Sequence, residues 1–157
     1  MCMRRLLAAV AATALILSAA EPAWASGRVP AGVASVSIAI GFPQKGAPGY
    51  RTPVRRTLTR HAAVAEVVQA TDALPVVRRH VMCPMIMRLG PLLSVTFRSS
   101  SGARLAVATV TVAYGSRGDS GAGFCFPIHF MSTSGSAALL GNGWVRLMGR
   151  LAGTTIS

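Results

Sequence analysis

Residues 104–114 read RLAVATVTVAY. Leu105, Val107, Thr109, Thr111 and Ala113 fall on one face of this run, and Ala106, Ala108, Val110 and Val112 on the other. Alternation of period two in a segment rich in valine and threonine predicts a β-strand. Ahead of it, Ser99 to Ala103, SSSGA, reads as a turn, and Leu92 to Arg98, LLSVTFR, as a second strand. Strand, tight turn, strand predicts an antiparallel hairpin. Working outward, Val33 to Ile40, VASVSIAI, alternates Val36, Ile38 and Ile40 with small residues and predicts another strand. Phe124 to Phe130 reads as a further short one.

Two stretches follow a helical period instead. Leu58, Ala62, Val64, Val67, Val68 and Leu74 recur near every 3.6 residues, which predicts a helix from about Thr59 to Ala73. Pro75 ends it, because a residue before proline avoids the helical region. Val145, Leu147, Met148 and Leu151 share a helical spacing within Trp144 to Leu151 and predict a closing helix. Gly41 to Pro53 and the glycine-rich Gly115 to Gly123 read as loops, and Ser132 to Gly143 as a small, polar connection. Strands and segregated helices, with no βαβ alternation, predict an α+β fold: an antiparallel β-sheet with one or two packed helices in a single small domain.

The first residues belong to no fold. Arg4 and Arg5 precede an apolar run from Leu6 to Ser18, followed by Ala23-Trp24-Ala25. A charged start, a short apolar core and a small-x-small site are the order of a secretory signal. The run is shorter than the roughly 20 residues needed to span a bilayer. The expected division is a signal peptide over 1–25 and a secreted domain over 26–157, with no membrane partner after cleavage. At 157 residues the chain is too short for a large multidomain enzyme, and at 52% hydrophobic residues too apolar for a disordered tail.

Cleavage would also remove Cys2, leaving Cys83 and Cys125. Two thiols in an oxidising compartment most simply form one disulfide. Closing a loop of this length stabilises a domain by on the order of 4 kcal/mol. The remaining histidines, His61, His80 and His129, have no partners at ligand spacing. Neither a metal nor a cofactor is expected.

The charge is strongly one-sided. Sixteen basic residues, fifteen of them arginine, face four carboxylates, for a net charge of +12. Such a balance favours acidic partners and anionic surfaces. The arginines occur as small clusters, Arg55-Arg56-Arg60 and Arg78-Arg79, and then singly, with little aromatic interleaving. Nucleic-acid modules usually interleave the two, so this pattern predicts solvated surface and no nucleic-acid partner.

The stretch with most chemical content is Val81-Met82-Cys83-Pro84-Met85-Ile86. Proline locks φ and removes a backbone donor, so a proline beside a crosslinked cysteine gives a stiff, extended segment. A protease inhibitor of the substrate-like kind needs such a segment. It enters the cleft as an added strand, and being already ordered it loses little entropy on binding. From periodicity alone, Met85, Ile86 and Met87 read more simply as core.

These residues resemble the Streptomyces subtilisin inhibitor family. That family has a helix ending in Ala-Leu, a spacer, and a reactive loop of the form V-M-C-P-M followed by V or I; here stand Ala73-Leu74 and Val81 to Ile86. Its next strand has the form P-x-L-L and its turn ends G-K/R-R, where this chain has Pro91-Leu92-Leu93 and Gly102-Ala103-Arg104. Upstream, Val36 to Ile40 and Gly49 to Pro53 correspond to its V-x-L-x-C strand and GTHP loop. The likeness covers about 33–114, with Val81 to Ile86 its specific core. It implies a secreted inhibitor of subtilisin-like serine proteases. Met85 would fill the primary pocket and Met85–Ile86 would be the scissile-like bond. Pro84 would stiffen the loop and a Cys83–Cys125 bridge would tether it. The partner would be a secreted protease; a homodimer is a further possibility. The chain departs from the family in three places. Ile40 stands where one cysteine of a second bridge would be, Cys125 arrives behind an added glycine-rich segment, and the chain after Gly115 does not match.

Two other readings compete. A cationic binding or structural protein with no enzymatic or inhibitory activity would need only the charge. The string Gly118-Asp119-Ser120-Gly121-Ala122 resembles the nucleophile segment of chymotrypsin-like proteases, with His61 and Asp72 preceding Ser120 in that order. The spacing disfavours it, since His61 and Asp72 fall on one predicted helix, and no catalytic residue is expected.

Overall fold

A computed structural model describes residues 28–42, 51–77, 88–114, 120–121 and 126–156. The predicted hairpin is its centre. β3 (Arg88–Arg98) and β4 (Arg104–Tyr114) pair antiparallel, and the Ser99 to Ala103 turn is closed by Ser99 N donating to Ala103 O at 2.9 Å. Gly102 takes φ +82° there, a conformation open to glycine at little cost. β3 starts four residues before its predicted boundary. Its register with β4 shifts between Leu89 and Leu92, around Gly90-Pro91. A proline with no N–H to donate is tolerated inside a strand at such an irregularity.

β1 (Ser35–Gly41) pairs with β3 along its whole length, and β2 (Val54–Leu58) pairs with the other side of β1. β5 (Ser120–Gly121) pairs with the end of β4, and β6 (Ile128–Ser132) with its first half. β7 (Gly135–Leu139) follows β6 as a tight hairpin. Among the described residues these make one antiparallel sheet in the order β2-β1-β3-β4-β6-β7, with β5 beside β4. α1 (His61–Asp72) and α2 (Asn142–Ala152) complete the predicted α+β domain.

The elements differ from the sequence pattern in four places. Val54 to Leu58, to which the sequence pattern assigns no element, is a strand. Its adjacent Arg55 and Arg56 break the apolar alternation, and an edge strand tolerates such charge because one side of it faces water. Residues 135–139, GSAAL, form β7 instead of a polar connection; only Leu139 in them is buried. Ser120 and Gly121, expected within a loop, are paired to Tyr114 and Ala113. The fourth expected strand begins at Ile128 instead of Phe124.

One face of the sheet is the core. Val36, Phe97 and Ala106 form a buried row across β1, β3 and β4; Ile38, Val95, Ala108 and Phe130 form the next; Ile40, Leu93 and Val110 the third. Ala106 and Ala108 lie between the two phenylalanines. Their small side chains let the rings of Phe97 and Phe130 meet across β4, edge to face, with centroids 6.3 Å apart and planes at 63°. Large and small residues alternating across strands fill the layer without overlap.

The helices cover this face. α1 buries Val64, Val67 and Thr71, and α2 buries Trp144, Val145, Met148, Gly149 and Ala152. A Cβ on Gly149 would lie 2.9 Å from Thr154 O and 3.0 Å from the Ile156 side chain, so glycine lets the chain after α2 fold back along the helix. Thr71 ties the helices together. Its Oγ1 donates to Val67 O at 2.7 Å and accepts from Trp144 Nε1 at 3.0 Å. Arg28 Nη1 donates to the carbonyls of Thr71 and Leu74 at the end of α1, where a cation suits the helix dipole. Asp72 Oδ1 accepts from Val29 N at 2.7 Å.

Thr71→Val should therefore destabilise the domain by about 1–3 kcal/mol, because the buried indole N–H loses its acceptor. Thr71→Ser should cost less. Urea denaturation of the three proteins is the check; a valine variant as stable as the wild type would mean that Trp144 finds another acceptor.

Candidate functional site

The opposite face of the sheet is open and built from small and β-branched residues: Ser37, Ala39, Ser94, Thr96, Val107 and Thr109 are half-buried, while Leu92 and Met131 are exposed. The described residues that flank the expected reactive segment meet at one end of the sheet. β3 starts there and β4 ends there, with Arg88 opposite Tyr114. β5 pairs with that end of β4. Ile128 at the start of β6 pairs with Leu139 at the end of β7, and Leu139 in turn bridges Val76. Val77 N donates to Ala138 O at 2.8 Å, and Leu140 N to Pro75 O at 3.0 Å.

The expected reactive residues Cys83, Pro84, Met85 and Ile86 lie outside the described residues, as does Cys125. What is described is the frame on either side of them. Val77 and Arg88, the described residues on either side of the segment holding Cys83, are both joined to the sheet. Cys125 stands immediately before Phe126, two residues ahead of β6. The strand that follows Cys125 is thus part of the same sheet, two strands from the one that follows Ile86.

The register along β4 is given by the described pairs on either side of Cys125 in sequence. Ala113 is opposite Gly121 and Thr109 is opposite His129. β4 advances four residues between these pairs while its partner advances eight, so four residues are extra. Cys125 is in this interval. Regular alternation along β4 is plain in the sequence, but the unequal count opposite it is not.

The serine-protease constellation is not assembled. His61 is the first residue of α1 and Asp72 the last. At 1.5 Å per residue they are about 16 Å apart along the axis, beyond hydrogen-bond reach. The Asp72 carboxylate instead accepts the Val29 N–H. His129 is exposed on β6. Among the described residues, no three His, Cys, Asp or Glu side chains come together as a metal site. A depression of about 310 Å3 at the far end of the sheet is lined by Arg104, Leu105, Met131 and Thr133 and gathers no carboxylate or histidine. No described helix is long and apolar enough to cross a membrane.

No protein-family model, no curated protein and no solved structure matches this chain. The functional reading therefore rests on the residues themselves and on the frame that holds them.

Proposed function

We propose that this protein is an exported inhibitor of subtilisin-like serine proteases, with Met85–Ile86 as its substrate-like bond. The observation that carries the reading is the hexapeptide Val81-Met82-Cys83-Pro84-Met85-Ile86 in its setting. It lies between a helix followed by Ala73-Leu74 and the first strand of the central hairpin, and both flanks are fixed to one sheet.

The span supports this role. Val77, at the outer edge of β7, and Arg88, on β3, are separated in the sheet by β7, β6 and β4. Four strand spacings are about 19 Å. The eleven residue steps available reach at most about 36–40 Å. That length crosses the sheet end with enough chain to present a loop, and a crosslink would remove much of the remaining freedom. Freedom removed before binding is not lost on binding, which is what makes a cleavable sequence an inhibitor rather than a substrate. Apolar Met85 supplies an unbranched side chain that fits a deep apolar pocket without strain.

The reading predicts a single mass for protein recovered from the medium. The chain should begin near Ser26, lack Cys2, and weigh two hydrogens less than the reduced form because Cys83 and Cys125 are joined. Intact mass analysis before and after reduction is the check. A retained Met1 would count against export, and two alkylatable thiols against the tether.

A further inference from the structure

The arginines of the described structure are not evenly spread. On α2, Arg146 and Arg150 are both exposed and one turn apart, about 6 Å along the axis. Beyond the end of α2 the row continues. The Arg56 guanidinium of β2 lies 3.5 Å from where a Cβ on Gly153 would stand, and Arg51 Nη1 reaches Thr155 O at 3.4 Å.

Counter-charge is scarce here. Glu66 and Asp72 are the carboxylates among the described residues, and Asp72 is taken by Val29. Glu66 meets Arg150 at 3.2 Å, an exposed contact. The carboxyl end of α2 contributes about half a negative charge. Among the described residues, four arginines against Glu66 and that half charge leave roughly two and a half positive charges uncompensated. A solvated helix face does not need such an excess, and capping one helix end needs a single cation.

We propose that this row, Arg146, Arg150, Arg56 and Arg51, is a binding site for a linear phosphate polymer. Guanidinium forks match phosphate oxygens two at a time. Phe42, Phe97, Phe126, Phe130 and Trp144 are buried or half-buried, so none of these offers an open ring for base stacking beside the row, and recognition runs through the anionic groups. The site is independent of the Met85 loop.

The test is calorimetric titration of the purified protein with long-chain inorganic polyphosphate at 50 and 200 mM salt. Three to four phosphate contacts predict affinity falling about 20- to 50-fold between the two. Arg146→Gln/Arg150→Gln should weaken binding at least tenfold at 50 mM salt and flatten the salt dependence. Arg98→Gln/Arg104→Gln, which removes the same charge at the β3–β4 turn, should weaken it less than threefold. Should the first pair fail to fold by circular dichroism, Arg51→Gln/Arg56→Gln should give the same loss. Equal weakening by the helix pair and the turn pair would overturn the site in favour of diffuse net charge. Absence of binding at 50 mM salt would overturn it outright, as would capture by anionic phospholipid vesicles without capture by polyphosphate.

Discussion

Met85→Gly should weaken inhibition of subtilisin about 10- to 1000-fold. An anchor side chain at the centre of an interface is worth about 1.5 to 4 kcal/mol, and each factor of ten corresponds to about 1.4 kcal/mol. Glycine also loosens the backbone beside Pro84, so both terms act in one direction. Met85→Lys should move the preference toward enzymes whose primary pocket carries a carboxylate. Ser120→Ala should leave inhibition unchanged, because the proposed mechanism makes no use of the Ser120 hydroxyl and alanine can keep the backbone pairing with Tyr114. Inhibition constants for the four proteins against subtilisin and trypsin are the measurement. Full inhibition by Met85→Gly together with loss of activity in Ser120→Ala would reverse the assignment.

Phe97→Ala should destabilise the domain by about 3–5 kcal/mol. Phe97 is fully buried, with Val36 beside it on β1 and Ala106 on β4, and its ring meets Phe130 across that strand. Neighbours as small as alanine cannot close the resulting cavity, and Phe130 loses its edge contact as well. Against a typical total of about 5–15 kcal/mol this is a large share. For a domain of this size the melting temperature should fall by roughly 10 to 20 °C. Thermal unfolding followed by circular dichroism is the check. A fall of only a few degrees would mean that the three rows do not interlock as described.

The centre of this fold is legible in the sequence and its edges are not. The run 104–114 alternates because Ala106, Ala108, Val110 and Val112 lie on the buried face of the sheet, and that burial marks the composition. α2 is legible for the same reason: Trp144, Val145, Met148 and Ala152 must lie on one side. β2 and β7 are paired on the sheet border, where little is buried. Arg55 and Arg56 in the one, and Gly135 and Ser136 in the other, are permitted by water rather than selected by packing. The candidate site divides similarly. Val81 to Ile86 carries its chemistry in local order and can be read from residue types alone. The arginine row joins positions from 51 to 150 that meet only through the docking of α2 on β2, so no local pattern announces it. His61 and Asp72 show the converse, a suggestive order in sequence that a single helix holds apart.

The central claim is that a tethered Met85–Ile86 bond occupies a subtilisin-like cleft without being consumed. The direct measurement is titration of a known concentration of subtilisin with the folded, oxidised protein, read by residual activity on a small substrate. The account predicts a linear fall to zero near one chain per enzyme, with the Met85–Ile86 bond largely intact in the recovered complex. Undiminished protease activity at tenfold excess of protein carrying the Cys83–Cys125 bridge would contradict it.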